Sequence, residues 1–496
     1  MTSWEVWINS LLIGILSPKV YQEVVRVLHY PGRIMLKDIS TISPIDGSVF
    51  VTRHCATTSE VQAVLSKATF AQKKWCQLSL GERSAHVQHA VEVLMESKGG
   101  IAEEITRQMG RPICFSPNEL TLFEERAQHL IALAPAALAD VLPAPVQGLQ
   151  RLMRREPHGV VFIIAPWNFP LLTCVNSLIT ALLAGNTVIL RHSSQTPLVS
   201  ERLVEAFHEA GVPEGVLQYV HTTHADTRLI MKAPEVDYLC FIGSSGSGLM
   251  VEQIELGRCI GVGLELSGVD PAYVRADADM EKTVDAVLEG AFFNSGQSCS
   301  GVQRVYVQRP RYQEFLDRAV VVANKYVLGN PLDKSTTLGP LVRLSAATMA
   351  REIVGQSMSM GAKTLISNSK YPLDSIDTPY MAPQILADVD HSMNIMKEDC
   401  FGPVFGVMPV DTDAEAIALM NDSDYGLSAS VFTQDAAAAM KIGAQIQTGS
   451  FLMNRCDYHD PALAWSGVKQ SGRGVSSSAL GFAQLTRVKS YHLRLW

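Results

Sequence analysis

The chain has 496 residues, a length that at roughly 150 residues per domain suggests about three domains or one large multi-lobed unit. Lys plus Arg total 41 against 49 Asp plus Glu, and the net charge of -8 argues against a nucleic-acid protein, which needs a basic surface. Hydrophobic residues make up 47% and charged residues only 18%, which excludes disorder over most of the chain and implies a large buried core with buried subunit contacts.

In chain order, Trp4, Trp7, Ile8, Leu11, Leu12 and Ile15 recur at helical spacing. The opposite face offers Glu5, Asn9 and Ser10 rather than Lys or Arg, so this stretch reads as an extension (residues 1–35) and not a membrane-surface helix. The apolar run is also too short to cross a bilayer, and it has neither a basic leading segment nor a cleavage site. Residues 57 to 110 read as helices, the first capped by Thr57. From 158 to 266, short apolar runs (160–166, 187–190, 216–220, 238–243 and 262–266) alternate with helical stretches starting near Pro170, Pro197, Ala225 and Ser244. That alternation predicts an α/β fold with a doubly wound parallel sheet. A second α/β stretch runs from about 270 to 465, with VQRVYVQ, APQIL, GPVFGVMPV and SASVFT as strands. Nine cysteines, at 55, 76, 114, 174, 240, 259, 299, 400 and 456, form no CxxC pair. No disulfide framework or metal site is implied, and a reduced, cytoplasmic compartment is expected.

Four motifs carry chemistry. In FFNSGQSCSG (292 to 301), Ser295 and Gly296 permit a tight turn that presents the Cys299 thiol on a loop; a functional cysteine needs an accessible, pKa-lowering setting. In GLELSG (263 to 268), Glu265 ends an apolar strand, a costly place for a carboxylate unless it is paired or used. In APWNFP (165 to 170), Asn168 stands where a strand gives way to a helix and can donate an N–H to a developing oxyanion. FIGSSGSG (241 to 248) is a strand-to-helix turn whose backbone N–H groups suit a diphosphate, although it does not match GxGxxG.

Arriving in this order on a doubly wound sheet, the four resemble the aldehyde dehydrogenase superfamily from about residue 40 onward. AGN (184 to 186), QTP (195 to 197), EAGVPEGV (209 to 216), FGPV (401 to 404), YGLSASVFT (425 to 433) and SGRG (471 to 474) add to the resemblance. It implies Cys299 as nucleophile toward an aldehyde, Asn168 and the Cys299 N–H as oxyanion donors, and Glu265 as the base that activates water. NAD or NADP would lie against Pro166, Trp167, Arg191, Ser194, Gly243, Ser244, Leu266, Asp399 and Phe401. The substrate would meet Ser298, Ser300 and Arg455, the last facing an anionic group such as a semialdehyde carboxylate. The resemblance implies a cofactor domain (36–138 and 156–267), a catalytic domain (268–466) and a small β oligomerisation element (139–155 and 467–496), with a homodimer or homotetramer expected and no metal.

Departures from the family pattern bear on the cofactor. Arg191, His192, Ser193 and Ser194 replace KPSE; the usual glutamate would repel a 2′-phosphate, whereas Ser194 does not and Arg191 keeps a positive charge close by. Ser177 stands where a lysine is common, and Asp399 where a glutamate usually holds a ribose. Two alternatives stay open. One is a CoA-acylating enzyme, against which Glu265 counts. The other is a weakened cofactor-binding homologue, to which Ser177 and Asp399 lend weight.

Overall fold

The computed structural model describes residues 37–254 and 259–496, so the amphipathic segment of residues 1–35 lies outside the described residues. Residues 39–496 belong to one compact unit. The description opens with a ribbon of β1 (Asp38–Ile42) and β2 (Val49–His54). Helices α1 (Thr58–Trp75), α2 (Leu80–Glu96) and α3 (Lys98–Met109) follow. Thr57 caps α1 as expected: its hydroxyl accepts from the Glu60 N–H at 3.3 Å, while the Glu60 carboxylate accepts from the Thr57 N–H at 2.7 Å. That capping box satisfies donors the helix cannot satisfy itself. Leu65, Ala68, Ala71 and Trp75 bury one stripe of α1, and the Trp75 indole donates to Leu182 O at 2.9 Å.

Helix α4 (Ser116–Ala137) was not read from the sequence. Its buried Leu120, Phe123, Ala127, Leu130 and Ala134 keep helical spacing, but polar residues and Pro135 interrupt the pattern. β3 (Leu149–Pro157) then leads into β4 (Val160–Ala165) and α5 (Leu172–Leu183), both nearly all buried. The alternation continues with β5 (Thr187–His192), α6 (Pro197–Glu209), β6 (Leu217–Tyr219), α7 (His224–Lys232), β7 (Tyr238–Ile242), α8 (Ser245–Glu252) and β8 (Gly261–Glu265). In space the strands run β6-β5-β4-β7-β8, all parallel, with β18 (Gly472–Arg473) antiparallel on the β8 edge. This is the predicted doubly wound sheet. Its order reverses between β4 and β7, and ligands of such sheets bind beyond the carboxyl ends at that switch point.

The second sheet contains β9 (Asp270–Val274), β10 (Val302–Gln308), β11 (Lys363–Thr364), β12 (Gln384–Ala387), β13 (Val404–Val410), β15 (Ser428–Phe432) and β16 (Ser450–Met453). Its order is β11-β12-β13-β10-β9-β15-β16, parallel apart from β11. Strand β9, absent from the sequence reading, holds Pro271, a residue that argues against a central strand. The ladder accommodates it where the β10 register shifts between Val302 and Arg304. A short pair, β14 (Tyr425–Gly426) with β17 (Val468–Lys469), lies nearby. β19 (Thr486–Arg494) closes the chain and pairs antiparallel with β3 along its whole length. Of the segment 139–155, residues from Leu149 onward belong to β3, which isolated bridges tie to the residues before it, Val141 with Met153 and Val146 with Leu149.

Candidate active site

Two short loops carry two of the four motifs to the same place because β4 and β7 are neighbours. Beyond β4 come Pro166, Trp167 and Asn168; beyond β7 come Gly243 and Ser244. All five line a cavity of about 1110 Å³, together with Arg191, Ser194, Glu265, Leu266, Ser298, Cys299, Ser300, Asp399 and Phe401. Every site residue named from the sequence therefore lines one cavity except Arg455. Arg455 is exposed, and its guanidinium lies 3.2 Å from the Tyr458 ring centroid. Long side chains on this loop spend their reach on a neighbouring ring, so the sequence expectation of Arg455 meeting the substrate finds no cavity contact.

The loop bearing Cys299 is built by backbone geometry. Asn294, Ser295 and Gly296 run at φ 52°, 57° and 72°, in the left-handed region. A Cβ on Gly296 would come within 2.1 Å of Gly402 O, so the turn anticipated from Ser295 and Gly296 demands glycine at the second position. Gln297 pins the turn by donating to Asn294 O at 3.0 Å and accepting from the Val342 N–H at 2.8 Å. The Cys299 carbonyl accepts from the Gly268 N–H at 2.9 Å, which joins this loop to the segment just beyond Glu265.

A buried polar cluster that the sequence did not reveal holds Asn168 in place. The Arg111–Glu119 ion pair is fully buried, and Arg111 also donates to the Asn168 carbonyl and, at 3.0 Å, to Asn294 Oδ1. Glu119 accepts from the Leu171 and Leu172 N–H groups at 2.8 and 3.2 Å, capping the start of α5. Asn168 is 4% exposed, and one N–H of its amide donates to Gln297 O at 3.2 Å. An amide has a second N–H, and that one remains for a ligand oxygen. Nothing local marks Arg111 or Glu119; only their pairing across a helix start gives them meaning.

Burial pushes the Glu265 carboxyl up to about 7, against the pull of the Ser476 hydroxyl and the Arg126 charge. Such a group is poised to exchange a proton near neutrality. The Cys299 thiol is pushed up to about 12, by burial first and then by the negative charges of Asp457 and Asp270. This setting is the reverse of the pKa-lowering one expected from the sequence. Burial is the main cause, reinforced by Asp457, which accepts from the Ser298 and Ser300 hydroxyls at 2.7 Å each. Both serines, expected to contact substrate, instead direct their protons to this carboxylate.

At the other end of the cavity two buried polar atoms have no partner, Arg191 Nε and Ser245 Oγ. They lie with Gly243 and the N-terminus of α8, where Ser244 caps the helix by accepting from the Ser247 N–H at 3.4 Å. Unsatisfied donors beside a helix start fit the diphosphate and ribose of a dinucleotide. Trp167 packs edge-on against Phe401 at 5.7 Å, with Phe401 at φ 48°. Burial pushes the Asp399 carboxyl up to about 6, countered by the Ser267 hydroxyl.

Comparisons with known proteins agree with this geometry. A model of the aldehyde dehydrogenase family matches residues 34–491. A succinate-semialdehyde dehydrogenase [NADP(+)] from Deinococcus radiodurans is 32% identical over 457 residues, covering 91% of this chain and 94% of that protein. Betaine aldehyde dehydrogenase 1 from Rhizobium meliloti is 30% identical, covering 92% and 93%. The crystal structure of an NAD-dependent aldehyde dehydrogenase from Sinorhizobium meliloti superposes with a TM-score of 0.89 at 29% identity, covering 92% of each chain. With its cavity, its motifs and residues 34–491 accounted for in this way, the chain belongs to the aldehyde dehydrogenase family.

Proposed function

We propose that this protein oxidises an aldehyde to its carboxylic acid, with Cys299 as nucleophile, Asn168 as oxyanion donor and Glu265 as general base. The observation that carries this reading is the convergence of all three on one cavity with the nucleotide-type loop at Gly243 and Ser244. As Cys299 Sγ adds to the aldehyde carbon its thiol proton passes by way of Glu265 to solvent, and the charge growing on the aldehyde oxygen is met by the free Asn168 N–H and the Cys299 backbone N–H. NAD(P)+, held against Gly243, Ser244 and Arg191, would supply the hydride acceptor needed for the thiohemiacetal to become a thioester. Glu265 then takes a proton from water as the water adds to the thioester carbon, and the acid departs as Cys299 is released. Glu265 in the cavity supports hydrolysis over transfer to coenzyme A.

Arg191, Ser193 and Ser194 would receive the adenosine ribose, and the absence of a carboxylate among them supports use of NADP as well as NAD. No helix among the described residues is long and apolar enough to cross a membrane. The free edge of β19, with exposed Val488, Leu493 and Leu495, supports self-association into a homodimer or a dimer of dimers. The direct test follows NAD(P)H absorbance with a panel of aldehydes, with and without coenzyme A. CoA-independent turnover that Cys299→Ala abolishes is expected; turnover that survives this substitution would overturn the reading.

A further inference from the structure

Besides Glu265, Cys299 and the oxyanion donor, the cavity contains a charged side chain that the chemistry above does not use. Arg126 lies on α4, one helical face with Leu122, and both line the cavity. Its guanidinium has five N–H donors, and the one hydrogen bond they make runs from Nη1 to Leu172 O at 3.3 Å. Among the described residues it forms no ion pair, and Glu119, the acid seven positions earlier, is spent on Arg111 and the start of α5. Arg126 lines the same cavity as Glu265, Cys299 and Tyr458, and its hydrogen bond to Leu172 O places it beside the segment that follows Asn168.

A guanidinium held out of water without a counter-ion is costly, and a fork of unused donors fits a carboxylate in two parallel bonds. Glu125 and Glu265 share the cavity with Arg126, but neither is ion-paired to it, and Glu265 is the general base of the chemistry above. Asp457 is occupied by Ser298 and Ser300, and His459 is stacked on Trp465 at 4.6 Å with its Nε2 against Ser477 Oγ. Phe169 and Phe293, stacked at 6.1 Å, supply an apolar surface suited to a short methylene chain.

Resting on the aldehyde-oxidising reading above, we infer that Arg126 is the specificity-determining residue that binds the anionic tail of the substrate, a short aldehyde carrying a carboxylate at its far end. The neutral aldehyde end then faces Cys299 and the carboxylate end faces Arg126, which fixes the orientation in which the carbonyl meets the thiol. Arg455, outside the cavity, has no part in this recognition.

The test compares succinic semialdehyde with butanal, equal in chain length and lacking the charge. Wild-type protein is expected to favour succinic semialdehyde in kcat/KM, and Arg126→Gln to lower the ratio of the two by about a hundredfold, the scale of one buried charge-pair partner. Arg126→Lys should restore part of that ratio, because charge persists while the fork is lost. An independent readout is alkylation of Cys299 by iodoacetamide: succinate should slow it in the wild type and not in Arg126→Gln. A wild type that oxidises butanal at least as well as succinic semialdehyde, or a ratio unchanged in Arg126→Gln, overturns the role of Arg126 and leaves the aldehyde chemistry standing. Oxidation of neither compound or of any other aldehyde overturns both.

Discussion

Asn294 donates through Nδ2 to the backbone carbonyl of Asn168 at 3.1 Å, tying the turn that carries Cys299 to the loop that carries the proposed oxyanion donor. The same amide group donates to Gln297 O at 3.2 Å, and its Oδ1 accepts from Arg111 at 3.0 Å. A single side chain thus sets the spacing between the sulfur and the group that must meet the developing charge. Asn294→Ala is expected to lower kcat by about ten- to a hundredfold, since misplacing reacting groups by an ångström carries a cost of that order. KM should change little. A loss confined to KM would show that Asn294 shapes binding and not alignment.

Asn168 itself should matter more. Asn168→Ala is expected to cost about a hundred- to a thousandfold in kcat, the range for one oxyanion donor. Steady-state kinetics on a purified variant with an unaltered circular dichroism spectrum checks this. An enzyme within a few-fold of the parent removes the role.

The buried Arg111–Glu119 pair gives a stability prediction. Glu119→Gln leaves the guanidinium without its counter-charge, because the one oxygen that remains can cap α5 at Leu171 and Leu172 or meet Arg111 but not both. Breaking such a pair from one side costs about 3–5 kcal/mol, read as a lowered midpoint of denaturant unfolding. An unchanged midpoint would mean that water or a neighbour satisfies Arg111 instead.

The carboxyl of Glu265 yields a pH profile with a definite sign. Its folded value, raised to about 7 by burial, means that the ionised base accumulates as pH climbs through neutrality. Where hydrolysis of the thioester limits the rate, kcat should rise about tenfold per pH unit below 7 and level off above it. Glu265→Gln should remove both the rise and most of the rate. Because the raised value makes folding favour the protonated form, stability from this group declines as pH rises from the ordinary carboxylate range through 7. At pH 8 the glutamine variant should therefore unfold at a higher temperature than the parent, and a lower one would contradict the assignment.

Cofactor choice turns on Arg191 and Ser194. Ser194→Glu places a carboxylate where a 2′-phosphate would sit, and the kcat/KM ratio of NADP to NAD should fall at least tenfold. Quenching of Trp fluorescence on titration with each nucleotide gives the same comparison without turnover. A ratio that does not move would place the 2′-phosphate elsewhere.

Much of the cofactor sheet was legible because each of its strands is an uninterrupted apolar run between turn residues, as at 160–166 and 238–243. β9 escaped because Pro271 disguises a strand that register shift accommodates, and β16 because its residues are only half-buried. Of the site, the residues that sit on tight turns or strand ends announced themselves: Cys299 after its left-handed turn, Glu265 at a strand terminus, Asn168 at a strand-to-helix switch. Arg111, Glu119, Arg126 and Asp457 did not, because each acquires its meaning only from the surroundings that folding gives it. Burial of the thiol, reinforced by Asp457, reverses its expected setting, an effect that only the folded surroundings can exert.

Only residues 266–269 separate β8, which ends on Glu265, from β9, which opens the other sheet. Gly268 in that link bonds the Cys299 carbonyl, and Ser471 straps it by donating to Ser267 O at 2.8 Å and accepting from the Leu266 N–H at 3.1 Å. The link that joins the two sheets is thus also the shim between the Glu265 carboxyl and the Cys299 sulfur. Any tilt of one layer against the other is geared straight into the gap where water must fit, and a wedge driven between the layers should stall the acyl intermediate before it disturbs its formation.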